Sequence, residues 1–256
     1  MTIIDGIILG IIQGITEFLP ISSSGHLVIA QELLGIEQPG NQFEILVHLG
    51  TLASITVIFF DDIRFLFLSI NKRRTQRFIS YIIIGTIPAV CLGLGLKDTL
   101  ESLFENIYYV GCALIFTGVI LFSSKNFTRR DEGNAYYKSL LIGIAQALAI
   151  IPGISRSGMT ISCALFLGLS AKESAKYSFL LAIPVIFGAG LLMALDIDDG
   201  LQIEISVAIA GLISSFIVGV ISLKWLLQLI QKGKFHYFGV YCFFVGLISF
   251  FINGPY

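Results

Sequence analysis

Charge is scarce in this sequence. Only 13% of its 256 residues are Asp, Glu, Lys or Arg, while 55% are hydrophobic. A soluble domain ordinarily carries about 25% charged residues, so the composition excludes that class and points to a membrane protein. An excess of basic residues is also missing. A net charge of −1 leaves no cationic face to meet a phosphate backbone, which excludes nucleic acid as a partner. Cysteine is sparse: Cys91, Cys112, Cys163 and Cys242 each sit inside an apolar segment, without metal-ligand spacing. They read as small buried hydrophobes. The first residues, Met1 to Asp5, lack the Lys or Arg that opens a signal peptide, and no small-residue cleavage site follows. The first apolar segment is therefore expected to stay in the protein.

What is present is a series of ten apolar segments, at 3–19, 24–35, 43–60, 78–96, 107–123, 139–152, 157–169, 177–195, 205–230 and 237–252. A membrane span needs about 20 apolar residues, with a range of about 17–25. The third, fourth, fifth, eighth, ninth and tenth segments meet that, and the second, sixth and seventh do not. A helix from Ser24 to Leu34 rises only about 16 Å at ~1.5 Å per residue, about half of a ~30 Å hydrocarbon core.

The chain also repeats itself. Gly10-Ile11 and Gln13 return as Gly143-Ile144 and Gln146; Ser22-Ser23-Ser24-Gly25 returns as Ser155-Arg156-Ser157-Gly158; Leu34-Gly35-Ile36 returns as Leu167-Gly168-Leu169. All three pairs are offset by 133 positions. The halves 1–130 and 134–256 each hold two short segments followed by three spans. If each short pair is a re-entrant hairpin, each half crosses three times. An odd number turns the second half upside down, giving an inverted repeat whose site lies near the midplane. The fold expected is an all-α polytopic membrane protein of about six transmembrane helices and two re-entrant helical hairpins.

Loop charges fit this topology. One side receives Lys72, Arg73, Arg74, Arg77, Lys125, Arg129, Arg130, Lys138, Lys172, Lys176, Lys224, Lys232 and Lys234. The other receives Glu37, Asp98, Glu101, Glu105, Asp196, Asp198, Asp199 and Glu204, with Lys97 as its one cation. Basic loops mark the cytoplasmic side, so both termini are expected outside. Charge supports this topology but not the re-entrance, because two full crossings leave the same parity.

Polar residues concentrate in two loops. On the first helix Gly6, Gly10, Gly14, Gln13 and Glu17 share one stripe at helical spacing. Small residues admit a neighbouring backbone, so the stripe faces protein and carries Glu17 inward. A carboxylate at membrane depth is costly and a functional candidate; the alternative is an interfacial Glu that reaches water. Then comes Pro20-Ile21-Ser22-Ser23-Ser24-Gly25-His26, matched by Pro152-Gly153-Ile154-Ser155-Arg156-Ser157-Gly158. Each loop precedes a short helix and so presents free N–H groups and the positive end of a helix dipole to an anion. Arg156 adds a guanidinium suited to phosphate oxygens, or else serves as a structural partner for Glu17. The serines include at least one helix cap per loop. His26 could act as acid, base or nucleophile. His48 and His236 have no comparable setting, and Glu44 reads as a helix-dipole partner. The residues alone leave a lipid phosphate hydrolase and an anion transporter both open.

Gln13 to His26, Gln13-Gly14-Ile15-Thr16-Glu17-Phe18-Leu19-Pro20-Ile21-Ser22-Ser23-Ser24-Gly25-His26, closely resembles the first signature of the undecaprenyl-diphosphate phosphatases associated with bacitracin resistance. Pro152 to Thr160 resembles their second, and Phe43-Glu44 with His48-Leu49-Gly50-Thr51-Leu52 also looks familial. The resemblance covers essentially the whole chain. It implies removal of the terminal phosphate of undecaprenyl diphosphate at the outer face of the plasma membrane, which recycles the carrier for peptidoglycan precursors. It implies six spans and two re-entrant hairpins, and a divalent cation, magnesium or calcium. Family members often have Glu where this chain has Gln13. On this reading Arg156 and the N–H groups of Ser155, Ser157 and Gly158 bind phosphate, and Glu17 with Gln13 positions the metal or a water. Ser23 is the first choice of nucleophile, with His26 activating it or protonating the leaving group; His26 as direct nucleophile is the rival. Ser22, Ser24, Gly25, Ser157 and Thr160 complete the binding set. The partners expected are the lipid diphosphate, membrane lipids and a second copy of the chain as a homodimer. The other lipid phosphatase family is excluded, because Ser24-Gly25-His26 matches only one of its elements.

Overall fold

The structure, a computed structural model, describes residues 1–36, 42–95, 107–126, 133–195 and 203–252. Among these all regular structure is helical: α1 (Ile3–Thr16), α2 (Ser23–Leu34), α3 (Gln42–Ile58), α4 (Phe60–Leu68), α5 (Arg73–Gly95), α6 (Ile107–Ser123), α7 (Ala135–Leu148), α8 (Arg156–Phe166), α9 (Ala171–Leu195), α10 (Ile205–Gln231) and α11 (Tyr237–Ile252), with a 3-10 turn at Ser124–Asn126. The loop charges Glu37, Lys97, Asp98, Glu101, Glu105, Arg129, Arg130, Asp196, Asp198 and Asp199 lie outside the described residues.

Three helices, α5, α9 and α10, are long and apolar enough to cross a bilayer alone. The described parts of α3, α6 and α11 have 17, 17 and 16 residues, at the lower edge of the ~17–25 a span needs. The run read as one segment at 43–60 ends at Phe59, where α4 turns away from α3 by 72°. Helix α4 was not anticipated. It carries Asp61, Asp62 and Arg64 and buries none of its residues, and Asp62 pairs with Lys176 of α9. Its charge density keeps it out of a span. The chain is thus a multi-pass membrane protein with two helix pairs, α1/α2 and α7/α8, too short to cross: 14 and 12 residues, then 14 and 11.

Every helix of the first set α1, α2, α3, α5, α6 begins within four residues of the position 133 before its counterpart in α7, α8, α9, α10, α11. Contacts pair off in the same way. α1 packs on α10 and α7 on α5; α3 packs on α9 and α6 on α11. Glycine permits these approaches. A Cβ on Gly10 would lie 2.5 Å from the carbonyl oxygen of Gly211, and one on Gly143 would lie 2.5 Å from that of Gly85. Along α6 and α11 the close approaches are Gly111 to Gly246 and Gly118 to Gly239, so these two helices run antiparallel.

The largest apolar cluster joins Phe18, Leu19 and Ile21 of the first loop to Phe179 on α9 and Leu223 on α10. It locks the loop after α1 against both halves. Large apolar side chains such as Phe187, Ile217 and Phe244 point outward, as a lipid-facing surface requires. Two cysteines correct the sequence reading. Cys91 and Cys112 are exposed on the outer faces of their helices, and only Cys242 is buried. In a bilayer an apolar thiol is as well placed outside as inside.

Candidate functional site

Glu17 follows the last turn of α1, whose glycine stripe lies against α10. Gly6 meets Val207, Gly10 meets Gly211, and Gly14 meets Ser215 and Gly219. That contact holds α1 in one rotation, turning Gln13 and Glu17 into the protein. Both are buried, Glu17 at 6% exposure. A buried carboxylate must be paired, and Glu17 is. Its Oε1 accepts from Arg156 Nη2 of the second loop. Its Oε2 accepts from Ser23 Oγ at 2.6 Å and from Gln13 Nε2 at 3.1 Å, and His48 Nε2 lies 3.4 Å away. Breaking such a pair by removing one partner costs about 3–5 kcal/mol.

The two loops cap their short helices alike. Gly25 N donates to Ser22 Oγ at 3.3 Å and Gly158 N to Ser155 Oγ at 3.1 Å. Ser22 and Ser24 hydroxyls lie 3.3 Å apart, as do those of Ser155 and Ser157. The second loop is pinned by Thr117 of α6, which donates to Gly153 O and accepts from Ser155 N, both at 3.1 Å. Ser157 Oγ donates across to Leu19 O at 3.4 Å. Both α2 and α8 therefore aim their first turns at one cavity, of about 300 Å³.

Of the sequence candidates, Glu17, Ser22, Ser23, Ser24, Ser155 and Arg156 line that cavity. The others stand behind it. Gln13 backs Glu17. Thr160 Oγ1 donates to Arg156 O at 2.8 Å and lies 2.5 Å from Ser178 Oγ, fixing the first turn of α8. Gly25 keeps α2 close to Gly153, where a Cβ would meet Gly153 Cα at 3.1 Å. Gly158 packs near Pro20. His26 does not line the cavity; its ring bonds to Ser22 O and to Tyr241.

Sequence reading passed over three cavity residues. His48 and Glu44 lie one turn apart on α3, with His48 Nδ1 2.6 Å from Glu44 O. Their spacing puts both on one face, but that face meets the loops only through tertiary packing. Gln146, the repeat counterpart of Gln13, also lines the cavity; the shared offset was its signal.

Two features bear on ligands. Arg156 Nη1 is buried without a hydrogen-bond partner, beside the Nη2 that holds Glu17. It is a donor left for a ligand oxygen. For a divalent cation the donors are oxygens: Glu17, Glu44, and the buried, unpartnered Oε1 atoms of Gln13 and Gln146. No cluster of three or more His, Cys, Asp or Glu suited to a metal occurs among the described residues. Magnesium commonly takes one or two carboxylates and completes its shell with water and phosphate oxygens. The residues thus fit a cation shared with a diphosphate, not one caged by protein.

Described residues that are all helical or loop, with apolar outer faces and a charged polar cavity between two matched loops, define a multi-pass membrane protein with a built polar site among its helices. Comparison with known proteins makes this specific. Residues 6–248 match the family described as bacitracin resistance protein BacA. The undecaprenyl-diphosphatase of Syntrophotalea carbinolica is 40% identical, over 99% of this chain and 100% of that protein. That of Methanosphaera stadtmanae is 42% identical over 97% of each chain, and that of Halothermothrix orenii 41% identical over 99% of each. The chain belongs to the bacitracin resistance protein BacA family.

Proposed function

We propose that this protein hydrolyses undecaprenyl diphosphate to undecaprenyl phosphate and inorganic phosphate, with Ser23 as nucleophile and Glu17 as its base. The activity rests on family membership. The observation that carries the residue roles is the 2.6 Å hydrogen bond from Ser23 Oγ to Glu17 Oε2 at the cavity wall.

The terminal phosphate lies against Arg156 Nη1 and the first N–H groups of α8, a cradle of fixed positive ends. Ser23 Oγ attacks the terminal phosphorus and its proton passes to Glu17. The Oγ–P bond forms as the bond to the bridging oxygen breaks, and undecaprenyl phosphate leaves as an anion needing no proton. Water then attacks the phosphoserine. Glu17 returns its proton to Ser23 Oγ as that bond breaks, and inorganic phosphate is released. Phosphoryl transfer draws mainly on positioning and charge stabilisation, and both come from the Arg156–Glu17–Ser23 line. A magnesium or calcium ion held by Glu17 with Gln13 and the diphosphate would neutralise phosphate charge. A lipid-tailed substrate suits a site walled by apolar helices. The reading includes inverted halves, 1–130 and 134–256, in the plasma membrane with both termini outside and the site opening outward, which returns the carrier to cell-wall synthesis and confers bacitracin resistance. The antiparallel register of α6 and α11 supports the inversion.

The test is phosphate release from undecaprenyl diphosphate by purified protein in detergent with magnesium or calcium. The native chain should release phosphate, and Ser23→Ala, Glu17→Ala and Arg156→Ala should each lose at least about 100-fold, the scale of removing one transition-state donor. A folded native protein that releases none sinks the proposal. Full activity in Ser23→Ala removes the nucleophile alone.

A further inference from the structure

Ser22 has φ 68° and ψ 100°, and it is the one non-glycine residue with positive φ among the described residues. A serine held there stores backbone strain, and something nearby must impose it. The repeat supplies an internal comparison. Ser155, at the matching position, has an ordinary φ of −74°. The second loop instead makes its turn at Gly153, φ 91°, where no Cβ is in the way. Gly153 is the counterpart of Pro20, which cannot take that conformation. The first loop must therefore turn later, at Ser22.

Ser22 Oγ meets Gly25 N–H and the Ser24 hydroxyl, and Ser22 O meets the backbone N–H of His26; the ring of His26 adds a second contact to that carbonyl. Its Nδ1 lies 2.8 Å from Ser22 O. A carbonyl only accepts, so Nδ1 carries hydrogen. Its Nε2 lies 2.9 Å from Tyr241 Oη on α11 and accepts the phenol hydrogen. The two rings stack with centroids 5.6 Å apart and planes 10° from parallel. Both ring nitrogens are committed, and neither reaches the cavity. The residue matching His26 in the second half is Met159, which has no ring to bond a carbonyl, and there Ser155 is unstrained.

We infer that His26 is a strut and Tyr241 its anchor: together they hold Ser22 in its strained turn and so set Ser23 against Glu17, making Tyr241 a positioning residue contributed by the opposite half. This rests on Ser23 acting in hydrolysis. It assigns His26 no proton transfer and no bond to phosphorus. The chemistry at Ser23 and Glu17 is adjacent in sequence to the strut but separate from it.

Asparagine separates the roles, because its side-chain N–H₂ can bond a carbonyl as Nδ1–H does but it is neither base nor nucleophile. On phosphate release by the full chain in detergent, His26→Ala should lower kcat about 100-fold, the cost of a misplacement near 1 Å. His26→Asn should recover to within about 10-fold of native. Tyr241→Phe, which keeps the stack and loses the hydroxyl, should lower kcat about 10-fold with KM unchanged. A ¹⁵N spectrum of the His26 ring should place its hydrogen on Nδ1, a readout that does not depend on activity. The inference is overturned if His26→Asn is as inactive as His26→Ala while folded, if Tyr241→Phe matches the native chain, or if the hydrogen sits on Nε2. A native chain that releases no phosphate would defeat the hydrolase reading, while the spectrum would still decide the strut.

Discussion

Glu17 Oε2 receives Ser23 and Gln13, and its Oε1 receives Arg156. A carboxylate so shared is held in one rotamer, which is what the proposed base for Ser23 needs. Arg156 in turn divides its guanidinium: Nη2 holds Glu17 and Nη1 is left buried and open. Lysine cannot do both, since its ammonium is a single point on a flexible stem. Arg156→Lys, although it keeps the charge, should therefore lower kcat/KM about 100-fold, close to Arg156→Ala. Steady-state kinetics in detergent checks this, and activity within a few-fold of native would mean that charge alone suffices. At this scale the sequence was legible where the cavity's geometry is set by local spacing. The Gln13–Glu17 stripe and the serine loops are patterns within one turn or one cap. His48 and Glu44 were not legible, because what makes them cavity residues is the approach of α3 to the loop after α1. His26 drew attention through the three serines before it; its partner Tyr241, 215 positions away, is not legible in local spacing.

The short helices are placed by glycine contacts rather than by their own stability. An isolated helix of 11 to 14 residues is marginal, and α1, α2, α7 and α8 all lie in that range. α1 is held because Gly10 lets it sit against Gly211, and α7 because Gly143 lets it sit against Gly85. These two glycines are repeat counterparts, each set against a span of the other half. Gly10→Val and Gly143→Val should each destabilise the protein by at least about 1–3 kcal/mol, as overpacking does. Thermal unfolding in detergent should show both with lowered midpoints. Gly93→Val is the control, since a Cβ there meets nothing closer than Ile150 at 3.6 Å. Equal behaviour of all three would show that the close approach carries no weight. The stripe of Gly6, Gly10 and Gly14 was readable as an interface, but not its partner, because sequence spacing names a face and not what covers it. The turn after Phe59 was unreadable for a related reason: Asp61, Asp62 and Arg64 end the apolar run, but spacing does not tell that Phe60–Leu68 continues as a helix turned away by 72°.

In inverted halves one helix pair enters the bilayer from each side, and the two capped loops meet at a single cavity between them. The pairing of α1 with α10, of α7 with α5, and the antiparallel run of α6 along α11 are what a two-fold relation between inverted halves produces. The proposed orientation rests on charge: Arg74, before α5, and Lys234, after α10, belong to the basic side, which marks the cytoplasm. The proposed orientation then puts Thr2, before α1, outside and opens the cavity to the face where the lipid carrier would be regenerated. In a cysteine-less chain, Thr2→Cys should react with a membrane-impermeant maleimide in intact cells. Arg74→Cys and Lys234→Cys, both at exposed positions, should react only after permeabilisation. Arg74→Cys and Lys234→Cys on opposite sides would break the parity that inversion requires, whatever the orientation. If the two agree but label in intact cells while Thr2→Cys does not, the inversion stands and the whole molecule is turned over, with its site toward the cytoplasm. Parity and orientation are thus separate questions, and one labelling experiment answers both.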